Sequence, residues 1–260
     1  MTRVPLSDPS ALLIVAFEGW NDAGDSATTA AQMVVDQNGH QPVLDIDPEE
    51  FFDFHIARPE VEHDSDGSRY LVWPTVTLYA PSNGDDESPL VLLGHEPSRL
   101  WKSFASQMVD HALSRGVEAI VFLGAMLADV PHSRPVKVTA TSDDPAIREQ
   151  FDIEKSSYEG PVGVLTVLSL AAQEAGIPAL HLWAHVPHYV HTSPSPKVTL
   201  ALLEELEHRV GIVTEREDLE VEAQRWEEGI DALASDDDDM SAYIESLEKT
   251  RDAADAPEAK

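Results

Sequence analysis

Four stretches of the chain are apolar almost without a break: residues 11–16 (ALLIVA), 90–94 (LVLLG), 119–124 (AIVFLG) and 179–184 (ALHLWA). Short apolar runs bounded by turn residues are expected to be strands buried on both faces. Between them the period changes. Residues 26–35 are small and apolar, with Gly39 beyond them as a stop, and predict a helix that sits close to a sheet. Trp101, Phe104, Ala105, Met108 and Ala112 recur at helical spacing, so a helix is expected over 99–114, capped by Ser98 and ended by Gly116. A short helix is expected over 143–151 and a longer one over 161–175, opening at Gly160 and closing at Gly176. Weaker strands read at 42–46, 76–79 and 136–140. The turn signal Asp64-Ser65-Asp66-Gly67 joins arms near 55–57 and 70–73.

From Pro196 onward the pattern is helical. Leu202, Leu203 and Leu206 mark one helix, and Thr214-Glu215-Arg216-Glu217 has the form of a capping box. Leu219, Ala223, Trp226, Ile230 and Leu233 make an apolar stripe on the next helix. Residues 236–239 should cap a last helix carrying Met240, Tyr243, Ile244 and Leu247, with fraying expected from Asp252. Repeated strand–helix alternation predicts α/β class: a three-layer α/β/α core with a mostly parallel sheet, plus a C-terminal α-helical extension. The expected division is 1–210 for the core, 211–252 for an acidic helical hairpin and 253–260 for a frayed tail.

Charge sharpens that boundary. The formal net charge is −31, and residues 204–260 hold 20 of the 48 carboxylates against 6 of the 17 Lys and Arg. A surface this acidic excludes nucleic acid and anionic membranes as partners, because both need basic patches. The chain has no cysteine, hence no disulfide frame and no thiolate site. No apolar run approaches a membrane span, and no signal-peptide pattern follows Met1, so a cytoplasmic protein is expected.

Candidate chemistry gathers where the four core strands end. Residues 19–25 bring Trp20, Asn21, Asp22 and Asp25; the next strand delivers His95 and Glu96; another delivers Asp129, His132, Ser133 and Arg134; the last delivers His185 and His188. In a parallel sheet these loops share one edge, where ligands of open α/β sheets bind. Asp25 is also placed to cap the following helix. His181, His185, His188 and His191 lack a helical i, i+4 pair, so no metal is expected; no motif demands a cofactor. Ser133 with a histidine base is a weak hydrolytic arrangement without a nucleophile elbow. Arg134 is expected to clamp Asp22, Asp25 or Asp129, or else to form an anion subsite with the glycine-rich start at 160–163. Trp20, Trp73 and Trp183 read as core anchors.

The stretch Gly-Trp-Asn-Asp-Ala-Gly-Asp-Ser-Ala at 19–27 resembles the signature of the PAC2 family, relatives of proteasome assembly chaperone 2, in its actinobacterial branch. Trp73-Pro74, the segment 127–136 around His132-Ser133-Arg134-Pro135, and 176–190 ending Val-Pro-His-Tyr-Val resemble the same pattern, together covering residues 10–210. The resemblance implies a core related to nucleoside-phosphorylase-like folds and a non-enzymatic, assembly-chaperone-like role with a protein client. The alternative is a small-molecule hydrolase or phosphorylase-like enzyme using the loops. Some archaeal relatives end in a hydrophobic-Tyr-any-residue tail; this chain ends Pro-Glu-Ala-Lys. The thin apolar stripes of the C-terminal helices should dock on the core or on another subunit and predict a closed homo-oligomer with its contact centred on apolar residues such as Trp226, and the resemblance implies a trimer.

Overall fold

The structure, a computed structural model, describes residues 6–82, 88–190 and 194–256; His191 and residues 257–260 lie outside these. The strands are β1 (Leu12–Glu18), β2 (His40–Asp45), β3 (Glu60–His63), β4 (Arg69–Val72), β5 (Val76–Pro81), β6 (Leu90–His95), β7 (Ala119–Ala128), β8 (Val138–Thr141) and β9 (Ala179–Pro187). Seven of them form one sheet in the order β2-β5-β6-β1-β7-β9-β8, while β3 and β4 make a separate ribbon. The four apolar runs are its centre: β6, β1, β7 and β9 are mutually parallel. The outer pairings, β2 with β5, β5 with β6 and β8 with β9, are antiparallel.

The helices are α1 (Ser26–Gln37), α2 (Pro48–Phe51), α3 (Trp101–Ser114), α4 (Pro145–Phe151), α5 (Val164–Glu174), α6 (Pro196–Val210), α7 (Glu217–Ser235) and α8 (Asp238–Asp255). Side chains of a strand alternate between faces, so β1 feeds two cores. Leu12, Ile14 and Ala16 pack with α1 and α6. Leu13, Val15 and Phe17 pack with α3 and α5 on the other side. Phe104 of α3 anchors that second core, with Phe17 at 5.8 Å and Phe51 at 5.5 Å, both edge to face.

Several boundaries differ from expectation, each for a local reason. Ser98 does not cap α3: its N–H and that of Arg99 donate to Phe51 O, and the helix starts at Trp101 after Leu100 in a left-handed conformation (φ 56°). The ribbon pairs 60–63 with 69–72, because the N–H groups of Ile56 and Ala57 turn back to Asp53 O and remove that arm. The capping box is not formed. Gln37 grips both the N–H and the carbonyl of Glu215, and α7 starts at Glu217 with no side-chain cap. Asp237 does cap α8, accepting from Asp239 and Met240 N–H. That helix continues through Asp252 to Asp255. In α7, Ala234 is buried and Leu233 is exposed, one step round from the expected stripe.

Phe104→Ala should cost about 3–5 kcal/mol, since it empties a fully buried aromatic site with two ring partners. A denaturant midpoint unchanged from wild type would contradict this placement of the second core.

Candidate functional site at the carboxyl edge of the sheet

β1 and β6 lie side by side, and the chain leaves β1 through α1 on one face of the sheet and β6 through α3 on the other, so their carboxyl ends flank a topological switch point. The loop after β1 closes over it. Asn21 and Asp22 are buried, and Asn21 O accepts from Ala125 N (2.8 Å), extending the pairing of this loop along β7. Asn21 Nδ2 donates to Glu96 Oε1 (2.8 Å), and the same oxygen accepts the Val164 N–H at the start of α5 (2.8 Å). Gly163 is required at that start, because a Cβ there would overlap the Asn21 amide. The expected opening of α5 at Gly160 moves to Gly163 as a result, and the glycine-rich turn carries Glu96 instead of an external anion.

Asp22 performs the equivalent task at α1. Its carboxylate accepts from Ala27 N (2.6 Å), Thr28 N (3.0 Å) and the Thr28 hydroxyl. Asp25, the residue expected to cap, lies exposed at the cap position in a left-handed conformation (φ 50°) and makes no side-chain cap bond. A helix N-terminus attracts negative charge, and here the chain supplies it internally. Burial pushes the Asp22 carboxyl above its ordinary value, against the donors that favour ionisation.

The β7 and β9 loops form a second group, turned toward the C-terminal helices. Arg134 makes a bidentate pair with Asp252, Nε–Oδ1 and Nη2–Oδ2 both 2.8 Å, and reaches Glu248 at 3.2 Å. Ser133 also donates to Glu248. The clamp expected on Asp22, Asp25 or Asp129 therefore closes on α8. His132 is buried between Tyr189 (Nδ1–Oη 2.9 Å) and Asp231 of α7 (Nε2–Oδ1 3.0 Å), with the Trp226 ring against it at 6.4 Å. Lys197 of α6 bonds His132 O (2.6 Å) and Glu227 of α7. Asp129 lies 3.3 Å from His188 Nδ1 and accepts from Tyr243 at 3.4 Å. Burial pushes the Tyr189 hydroxyl up to about 12, so it stays protonated near neutrality.

The predicted constellation thus divides. Asn21, Asp22 and Glu96 close the switch point, whereas Asp129, His132, Ser133, Arg134 and His188 dock the hairpin. His95 pairs with Glu18 at 3.1 Å on the exposed rim. His185 meets Thr139 at 3.0 Å, and His181 is half-buried against Phe122 and Ser169, where loss of hydration pushes it down to about 4. These three histidines face separate partners. Trp20, read as a core anchor, is 76% exposed. Sequence reasoning placed Tyr189 in the last loop without a site role and missed Lys197, Glu227, Asp231, Glu248 and Asp252; the acidic excess after residue 204 pointed only toward the four carboxylates.

Two measurements check this geometry. Arg134→Ala should speed amide exchange several-fold across α8 while the sheet keeps its protection, and added salt should act in the same direction. Uniform protection in the variant would contradict the clamp. For Asp22, a native pKa above 3.8 means the folded state holds the proton more tightly. Its contribution is present below pH 3.8 and is lost as pH rises through the native value. Relative to Asp22→Asn, wild type should lose stability across that window and then level off, as read from urea midpoints at stepped pH.

Comparison with known proteins fits this architecture. The PAC2 family pattern matches residues 16–234. A PAC2 family protein from Streptomyces avermitilis is 40% identical, with 90% of this chain and 99% of that chain covered and a TM-score of 0.82. A Mycobacterium tuberculosis proteasome-assembly chaperone homologue, Rv2125, is 35% identical over 90% of this chain and 99% of its own, with a TM-score of 0.80. The Pyrococcus furiosus archaeal proteasome activator PbaB, at 16% identity, 89% and 95% coverage and a TM-score of 0.67, shares the fold alone. No curated protein matches the chain. On the extent of the family match and the identity of these relatives, the chain belongs to the PAC2 family.

Proposed function

We propose that this protein is a non-enzymatic, protein-binding factor of the assembly-chaperone kind, acting in the cytoplasm as a closed homo-oligomer, a trimer by family resemblance. The observation that carries the reading is the filled switch point. Glu96 occupies the first N–H of α5 and Asp22 the first turn of α1, so the two helix starts that would receive an anionic substrate group hold the chain's own carboxylates. His132, Ser133 and Arg134, the residues a hydrolase would recruit, are committed to Asp231, Glu248 and Asp252. No helix among the described residues is long and apolar enough to cross a membrane, in keeping with a partner met in solution.

Similarity to the mycobacterial proteasome-assembly chaperone homologue supports proteasome subunits as the client class. The test combines the purified full chain with unassembled proteasome α and β subunits of the same source and follows assembly by native gel. Co-migration with subunits, and its loss from the finished particle, is the expected outcome. Failure to bind subunits at micromolar concentration, together with turnover of esters or nucleosides that Ser133→Ala or His132→Ala abolishes in a folded protein, would overturn the reading.

A further inference from the structure

The β3–β4 ribbon is exposed along its whole length: every residue of both strands faces solvent. An isolated two-stranded ribbon is marginal in water unless a further layer covers it. Its root is firm. Phe54 and Ala57 pack on the second core, and Trp73 stands against Phe54 with ring centroids 5.0 Å apart. Its tip is also firm, with Asp64 N–H bonded to Ser68 O (2.8 Å) and Gly67 N–H to Asp64 O (2.9 Å). A preorganised ribbon with no cover among the described residues points to a surface covered on association.

Register assigns its two faces. Val61 opposes Leu71 and His63 opposes Arg69, so these four, with Trp73 two residues beyond Leu71, lie on one face. Glu60 opposes Val72 and Glu62 opposes Tyr70, with the Tyr70 hydroxyl bonded to Glu62 at 2.5 Å, on the other. One face is apolar with a fixed cation; the other is apolar with two carboxylates. Each is the complement of the other. On a chain of net charge −31 a cationic apolar face is drawn to an acidic one, and the ribbon's own reverse face supplies it.

We propose that the ribbon of one copy stacks its Val61–Leu71–Arg69 face on the Glu62–Tyr70–Val72 face of the next copy. Because two different faces meet, the contact is heterologous and not an isologous dimer; with the rotation of the closed homo-oligomer it makes a ring. The inference rests on the homo-oligomer reading above and moves the contact away from Trp226, which is turned inward on His132.

The test uses the full chain, whose lack of cysteine makes introduced thiols unambiguous. Light scattering should give an oligomer for wild type, a monomer for Arg69→Glu, and the oligomer again for Arg69→Glu combined with Glu62→Arg. Under oxidation, the double variant Leu71→Cys, Val72→Cys should give a covalent ladder that ends at the ring. Each single cysteine should give about ten times less cross-linking, because a disulfide needs Cα atoms within about 7 Å. Far-UV circular dichroism of each variant should match wild type, since the substituted side chains are outside both cores, while the thermal midpoint of Arg69→Glu should fall as the oligomer is lost. A monomeric wild type would overturn the homo-oligomer reading and this inference together. An oligomer that survives Arg69→Glu and yields no ladder would overturn the ribbon contact alone. Strong cross-linking by Leu71→Cys alone would mean like faces meet, which overturns the ring.

Discussion

The Glu96 carboxylate is the tie on which the carboxyl edge depends. One oxygen accepts from Asn21 after β1 and from Val164 at the head of α5, joining three segments far apart in the chain. The arrangement follows from a general constraint. Parallel strands deliver loops and helix N-termini to the same edge, and the N–H groups there need acceptors. Enzymes on such sheets leave that need to be met by a substrate. Here Asp22 and Glu96 meet it from within, and the loop after β1 becomes part of the core, with Asn21 and Asp22 buried beneath an exposed Trp20.

A second consequence follows for the acidic C-terminal hairpin. Its own apolar burial is slight: Leu219, Ala223, Ile230 and Ala234 from α7, Ile244 and Leu247 from α8. A hairpin with so thin a core needs a further surface. It finds one in polar groups that mostly run the same way, with His132, Ser133, Arg134 and Lys197 on the core side and Asp231, Glu248, Asp252 and Glu227 on the helices, the Tyr243 hydroxyl on Asp129 running the other way. An overall charge of −31 would repel the hairpin from most of the core. The β7 and β9 loops are where that repulsion is locally reversed, which is why their cations are spent on docking.

Much of the fold was determined by the sequence alone. The four apolar runs, the small-residue helix after residue 25 and the acidic helical end each carry a period that one kind of element satisfies, and burial on both faces follows from the absence of alternation. The convergence of polar loops on one edge also followed, because parallel topology dictates it. What only the tertiary structure decided is which of those side chains meet. Asp22 and not Asp25 holds α1, Glu96 and not a ligand holds α5, and Arg134 closes on residues 114 and 118 positions away. Hydrogen-bond partners are chosen by distances of a few tenths of an ångström between segments remote in sequence, and no periodicity records them.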